Sequence, residues 1–135
     1  MSNGNSGSLA LIGFVGVCAS GKTTLIRLLE SRGYRCRHIA QEHSYVASMW
    51  LQLTHPDYLI YLSVDYPTTL QRKHLDWTLE EYEEQLRRLQ HAHDHADLIV
   101  DTSAQTLEQT LELIVNQLTL WGVTPRPANT GLPSE

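Results

Sequence analysis

Two cysteines, Cys18 and Cys36, are too few in 135 residues for a disulfide framework, and both are expected to be reduced thiols. No apolar run approaches the roughly 18 residues that a membrane-spanning helix needs, so no membrane partner is expected. The opening segment, MSNGNSGS, lacks the positive flank of a secretory signal, and a cytoplasmic location is expected. Positive charge is also scarce. Ten Lys and Arg stand against fifteen Asp and Glu, a net charge of −5, which argues against a nucleic-acid partner. Internal repeats are absent. What is present, 41% hydrophobic and 19% charged residues, suits one small globular domain.

The charge is uneven along the chain. Residues 1–40 hold Lys22, Arg27, Arg32, Arg35 and Arg37 against Glu30 alone, and the remainder is strongly acidic. A positive front end suits an anionic ligand, although arginines are also ordinary surface residues. Residues 1–8 are Ser, Asn and Gly, and Thr124–Glu135 carries Pro125, Pro127, Pro133 and Gly131. These compositions predict tails at 1–8 and 122–135 around a domain at 9–121.

Within the domain, strand and helix patterns alternate. Leu9–Val15 is a short apolar run that reads as a buried strand, and Thr23–Glu30 reads as a helix stopped near Gly33. Tyr34–Ala40 predicts a weak, edge-like strand. Tyr45, Val46, Met49, Trp50 and Leu53 share one face of a short helix that stops before Pro56. Tyr58–Val64 is the clearest strand. Pro67 starts a helical turn expected to run to about His74, and Thr78 with Glu81 forms a capping box for a helix carrying Leu79, Tyr82, Leu86 and Leu89. Ala96–Val100 is a fourth strand, and Leu107, Leu111, Ile114, Val115 and Leu118 mark a last amphipathic helix. Such alternation predicts an α/β fold in three layers, α/β/α, around a four-stranded parallel sheet in the order 2-1-3-4.

Gly16-Val17-Cys18-Ala19-Ser20-Gly21-Lys22-Thr23 fits G-x-x-x-x-G-K-[ST], between an apolar strand and a helix. Glycine averages about 7% of residues, so the pattern arises by chance in well under roughly 1% of chains this long. Gly16 and Gly21 permit backbone conformations that let successive N–H groups curl around an anion. Lys22 sets an ammonium against outer phosphates, and Thr23 offers a hydroxyl to magnesium. The nucleotide-binding set is thus Gly16, Cys18, Ala19, Ser20, Gly21, Lys22, Thr23 and Thr24, with ATP or another nucleoside triphosphate and Mg²⁺ as cofactors. A Gly-rich turn that holds nothing is the bland alternative.

On these residues the chain resembles the P-loop nucleoside triphosphatase superfamily. GFVGVCASGKTTLIRLLESRGY is similar to the opening of small kinases of the adenylate, deoxynucleoside and dephospho-coenzyme-A kinase type. Tyr58–Val64 with Pro67-Thr68-Thr69 and Arg72-Lys73 resembles their late strand and lid entry, and Ala96–Ser103 with the final helix resembles their last βα unit. The resemblance implies a P-loop fold and an ATP-dependent phosphotransferase acting on a small acceptor of nucleoside-like type. Residues 41–57 leave no room for the further βα unit of larger kinases, so the domain is apparently reduced. An alternative is therefore a nucleotide-binding ATPase or regulatory module without kinase activity. A GTPase switch is disfavoured because no Asn-Lys-x-Asp motif occurs. A homo-oligomer is a further possibility.

Three carboxylates compete to serve the metal or act as base. Glu42 follows the second strand, where the deoxynucleoside kinases carry a base-like Glu; Asp65 and Asp101 each end an apolar strand. All three could instead be turn or cap residues. Arg72, at the implied lid entry, is the candidate for stabilising the transferring phosphoryl group, so the catalytic set is Lys22, Glu42 and Arg72. Arg87 and Arg88 lie on the helix that would close such a lid and could pair with phosphate oxygens, but i,i+4 pairs with Glu83 and Glu84 are the expected reading. His91, His93 and His95 invite a metal reading, His91 and His95 being spaced i,i+4, but with no Cys nearby the run is read as histidines that a helix C-terminus favours without any ligand. His43 could be catalytic or structural, Cys18 oxidisable or merely packed, and Trp50, Trp77 and Trp121 read as core anchors.

Overall fold

A computed structural model describes residues 10–72 and 76–127. Its central strand β1, Leu11–Gly16, is buried at every position because it has a strand on each side and helices over both faces. The other strands are β2 (Arg35–His38), β3 (Tyr58–Ser63) and β4 (Leu98–Asp101), all parallel in the order β2-β1-β3-β4. This is the expected α/β sheet with its 2-1-3-4 order. Edge strand β2 buries only Cys36, which fits its run of Arg and His.

Successive residues of a strand face opposite sides, and here both sides are covered. Ile12, Phe14, Ile60, Leu62 and Val100 pack under α1 (Lys22–Ser31) and α5 (Leu107–Leu120), through Leu25, Ile26, Leu29, Leu111, Ile114 and Leu118. Val15, Leu59 and Tyr61 form the opposite core with Leu89 and Ala92 of α4 (Leu79–His95) and with Trp50. Two aspartates align the strand starts. Asp57 accepts the Leu11 N–H at 2.7 Å and donates its own N–H to the Leu11 carbonyl at 2.8 Å; Asp97 repeats both bonds with Leu59, at 2.7 and 2.8 Å. Each carboxylate thereby satisfies a backbone donor that lies at the beginning of a ladder.

The Thr78–Glu81 capping box forms as expected, with bonds of 2.8 and 3.1 Å, and Thr106 with Gln109 makes a second one on α5. The short α3 spans Tyr66–Arg72; its expected continuation toward His74 lies outside the described residues, as does Leu9 of the first strand. The region after β2 departs from expectation. The short helix α2 covers only Met49–Leu53, Tyr45 and Val46 precede it, and Tyr45 and Leu53 are 86% and 76% exposed. Of the expected apolar face only Trp50 is buried. The cause is Gln41, whose side chain accepts the Trp50 N–H at 2.8 Å and donates to the Val46 carbonyl at 2.9 Å, folding residues 41–50 around itself instead of along a helix axis.

All three tryptophans are anchored as expected: Trp50 is buried, Trp77 donates to Thr69 at 3.0 Å, and Trp121 stacks on Tyr58 with ring centroids 4.4 Å apart. Packing also continues beyond residue 121, since Val123 is buried and the Arg126 N–H reaches the Gly33 carbonyl at 2.8 Å. Residues 1–9 and 128–135, which include most of the two expected tails, lie outside the description. Among the described residues no helix is long and apolar enough to cross a membrane.

Candidate functional site

A parallel sheet brings the carboxyl ends of all its strands to one edge. Here that edge gathers the glycine-rich segment 16–23 after β1, the 3-10 turn Gln41–His43 after β2, Asp65 after β3 and Thr102 after β4. The glycine-rich segment turns tightly. A Cβ on Gly16 would stand 2.5 Å from the Leu62 carbonyl oxygen, so no other residue fits there. Gly21 has φ 96° and Ala19 has φ 69°, and a left-handed alanine costs on the order of 1–3 kcal/mol. Such alternation turns backbone N–H groups inward at the start of α1, where the helix dipole is positive.

Lys22 does not point to solvent. Its side chain is only 5% exposed, and Nζ donates to the Gly16 carbonyl at 2.6 Å and to Glu42 Oε2 at 2.7 Å. The ammonium staples the two ends of the segment to a carboxylate from the neighbouring strand. Glu42 is equally buried, and its Oε1, like Ser20 Oγ, has no hydrogen-bond partner. Buried polar atoms are rarely left so, and these two lie on the same small region of the sheet edge.

The 3-10 turn that aims Glu42 is held from two sides. Gln41, 1% exposed, adds a bond to the Arg88 carbonyl at 3.2 Å, and Arg88 Nη1 donates to the Glu42 carbonyl at 3.2 Å. Arg88 also pairs with Glu84 at 3.1 Å, the expected i,i+4 contact, and lies 4.3 Å over the Tyr45 ring. Arg87 departs from expectation. It pairs with Glu84 at 2.6 Å rather than with Glu83, so one carboxylate serves both arginines.

Of the three competing carboxylates, only Glu42 touches Lys22. Asp65 Oδ1 accepts the Thr68 N–H at 2.9 Å at the start of α3, and the Thr68 bonds hold its carboxyl below the usual range. Asp101 Oδ1 accepts the Ser103 N–H at 2.9 Å in a turn. Arg72 reaches back from α3 to the glycine-rich segment, with Nη1 3.2 Å from the Ala19 carbonyl and 2.9 Å from Thr102 Oγ1, and Nη2 bonded to the Thr102 carbonyl.

Two further side chains, which the sequence reading did not single out, complete the site. Thr102, 3% exposed, donates from Oγ1 toward the Ser20 and Ser63 carbonyls, each at 3.2 Å, tying the segment to the end of β3. Gln85 of α4 accepts the Cys18 N–H at 3.0 Å and donates to Cys18 Sγ at 3.3 Å. A polar residue on the buried face set by Tyr82 and Leu89 was the only hint of Gln85. The histidines near the end of α4 are occupied otherwise: His91 Nδ1 accepts from Trp50 at 3.0 Å, His95 bonds the His91 carbonyl at 2.8 Å, and His93 meets Tyr61 edge-on at 4.9 Å. Cys18 and Cys36 are free, as expected.

Two clefts flank the glycine-rich segment. One, about 250 Å³, is lined by Lys22, Thr23, His38, Glu42 and His43. The other, about 300 Å³, is lined by Thr24, Arg72, Thr102, Gln105, Leu107 and Thr110. In the first, partial burial and then the nearby Lys22 charge push His38 below its ordinary pKa, which keeps the ring neutral. Thr23, exposed on the first turn of α1, and Glu42, with its unpartnered Oε1, are oxygen donors at the same mouth, a donor type that fits magnesium. No model of a known protein family matches the chain, and no curated protein sequence matches it either.

Proposed function

We propose that this protein is a P-loop nucleotide-binding protein that acts as an ATP-dependent phosphotransferase on a small acceptor. One observation carries the reading. The G-x-x-x-x-G-K-T spacing coincides with a strand–turn–helix junction whose lysine is buried against a carboxylate from the adjacent strand end. A buried ammonium and carboxylate are costly to maintain, and they are retained most readily where an incoming polyanion will use them.

On this reading the N–H groups of Ala19, Gly21, Lys22 and Thr23 cradle the phosphates, those of Cys18 and Ser20 being bonded to Gln85 and Val17, and Lys22 turns part of its charge from Glu42 to their oxygens. Thr23 would hold magnesium, which when bound neutralises charge on the outer phosphates. The cleft beside Arg72, Thr102 and Gln105 takes the base and sugar, and its apolar Leu107 supports a ring face. Arg72, already next to the Ala19 carbonyl, needs only a side-chain swing to reach a transferring phosphoryl group. The acceptor enters on the other side, beside His38 and Glu42, where Glu42 takes the hydroxyl proton.

A second reading, a nucleotide-binding module that transfers nothing, is favoured by one feature. Residues 41–57 contribute only a 3-10 turn and the short α2, so no separate βα unit encloses an acceptor. Calorimetry of Mg-ATP binding tests what the two readings share: heat is expected with the native chain and none with Lys22→Ala or Thr23→Ala variants of unchanged circular dichroism. Absence of heat with the native chain overturns both. ATP turnover stimulated by a hydroxyl acceptor supports the first reading, and binding without stimulation by a broad acceptor panel supports the second.

A further inference from the structure

We infer that Cys18, Glu42 and His43 form a binding site for a zinc-class divalent cation at the mouth of the glycine-rich segment. One ligand atom from each, a thiol sulfur, a carboxylate oxygen and an imidazole nitrogen, lies within 4.8 Å of the other two. In a tetrahedral zinc site the bonds are about 2.0–2.3 Å, which sets the ligand atoms roughly 3.3–3.8 Å apart. The cluster therefore needs a contraction of about 1 Å. His43 Nε2 already stands 3.8 Å from Glu42 Oε2, so the contraction falls on the separations from Cys18 Sγ, to which the 60% exposed imidazole contributes by rotation.

Three further features favour a cation there. Glu42 has a buried oxygen, Oε1, with no hydrogen-bond partner, while Oε2 is engaged by Lys22. Gln85 donates its amide N–H to Cys18 Sγ and is itself 8% exposed, so a fixed outer partner already steadies the sulfur. Sulfur, imidazole and carboxylate together suit zinc, whereas magnesium and calcium prefer oxygen alone. Binding forms a zinc–sulfur bond as the thiol proton leaves to the buffer, with no change of oxidation state. A fourth position remains for water.

Lys22 sets the affinity. Its ammonium, 2.7 Å from Glu42 Oε2, repels an arriving dication, so the site is weaker than the same ligands without it. The cation site does not depend on the nucleotide reading. The consequence that zinc and Mg-triphosphate exclude each other does rest on it, since both would engage the Lys22–Glu42 pair.

The test is a titration of the metal-stripped full chain with Co²⁺, without nucleotide, followed by displacement with Zn²⁺. The expected result is a thiolate-to-cobalt charge-transfer band that saturates at one equivalent and disappears on adding zinc. Cys18→Ser should abolish the band and weaken zinc binding at least about tenfold. His43→Ala, at an exposed position that risks little for folding, should weaken zinc comparably while leaving a sulfur–cobalt band at higher cobalt. A His93→Ala control should change nothing. The proposal is overturned if no such band appears, if the band survives in Cys18→Ser, or if zinc affinity follows His93 and not His43. A chain that binds zinc as described but gives no heat with Mg-ATP would refute the nucleotide reading alone.

Discussion

The Lys22–Glu42 pair makes the sharpest energetic prediction. Both side chains are 5% exposed, the Nζ–Oε2 distance is 2.7 Å, and the second carboxylate oxygen has no partner. Replacing Lys22 by Met leaves a buried carboxylate facing only the exposed His43 imidazole, 3.8 Å away, and breaking such a pair costs about 3–5 kcal/mol. It also leaves the Gly16 carbonyl, now 2.6 Å from Nζ, without its donor, which adds about 1–3 kcal/mol. A small domain is held by only about 5–15 kcal/mol, and at roughly 3–4 °C per kcal/mol the melting temperature should fall by on the order of 12–30 °C. Replacing both residues, Lys22→Met with Glu42→Leu, removes the two buried charges together, and such replacements are often neutral or stabilising by about 1–4 kcal/mol. The Gly16 term is common to single and double variants and cancels in the cycle. The double variant should therefore be more stable than Lys22→Met, although it carries one more substitution. Urea unfolding followed by far-ultraviolet circular dichroism measures all four proteins. If each single variant loses less than about 1 kcal/mol and the losses add, the pair behaves as a solvated surface bridge and the reasoning fails.

Three other expectations follow from particular contacts. Gln85→Leu removes the acceptor of the Cys18 N–H, so it should cost about 1–3 kcal/mol and speed amide exchange at residues 17–19; unchanged exchange would show that α4 does not hold the segment. Cys36, whose thiol is pushed up to about 12 by burial and then by Glu30, should resist iodoacetamide in the native protein. Half-buried Cys18 should react and Cys36 should follow only on unfolding, with peptide mass spectrometry as the readout. His38 has a folded pKa below its unfolded value, so the unfolded chain binds the extra proton between them. Its contribution should rise with pH through that window and be lost as pH falls through the folded value, and His38→Gln should flatten the slope in urea melts.

The sheet was legible because the feature that orders it is local. Apolar runs of strand length alternate with helical faces, and right-handed crossovers leave few arrangements of four parallel strands. Glu42 was named through the resemblance to deoxynucleoside kinases, and the order that sets β2 beside β1 explains why it is found against Lys22. Arg72 was likewise named from the implied lid entry, and it lies against the Ala19 carbonyl. What sequence could not supply are bonds between distant polar side chains and main chain. Gln85 meets Cys18 at a separation of 67 residues, and Thr102 meets Ser20 at 82. Neither residue differs locally from an ordinary helix or turn residue. Tyr45 and Val46 failed in the opposite sense. Their helical spacing is real, but Gln41 offers the backbone of residues 46–50 better partners than a helix would.

These distant bonds carry a mechanical consequence. Helix α4 touches both banks of the cleft beside Lys22: Gln85 grips the Cys18 backbone on one bank, and Arg88, one turn later, grips the Glu42 carbonyl on the other. Gln85 and Arg88 lie three residues apart on one face of α4, so a displacement of the helix moves both banks together. The opposite cleft is held differently, by Arg72 and Thr102 converging on the Ala19 and Ser20 carbonyls. The segment is thus held on the Arg72 side through Thr102, just after β4, and on the Glu42 side through α4; because Ser20, Gly21 and Thr24 line both clefts, a ligand that displaces the segment on one side also reshapes the other.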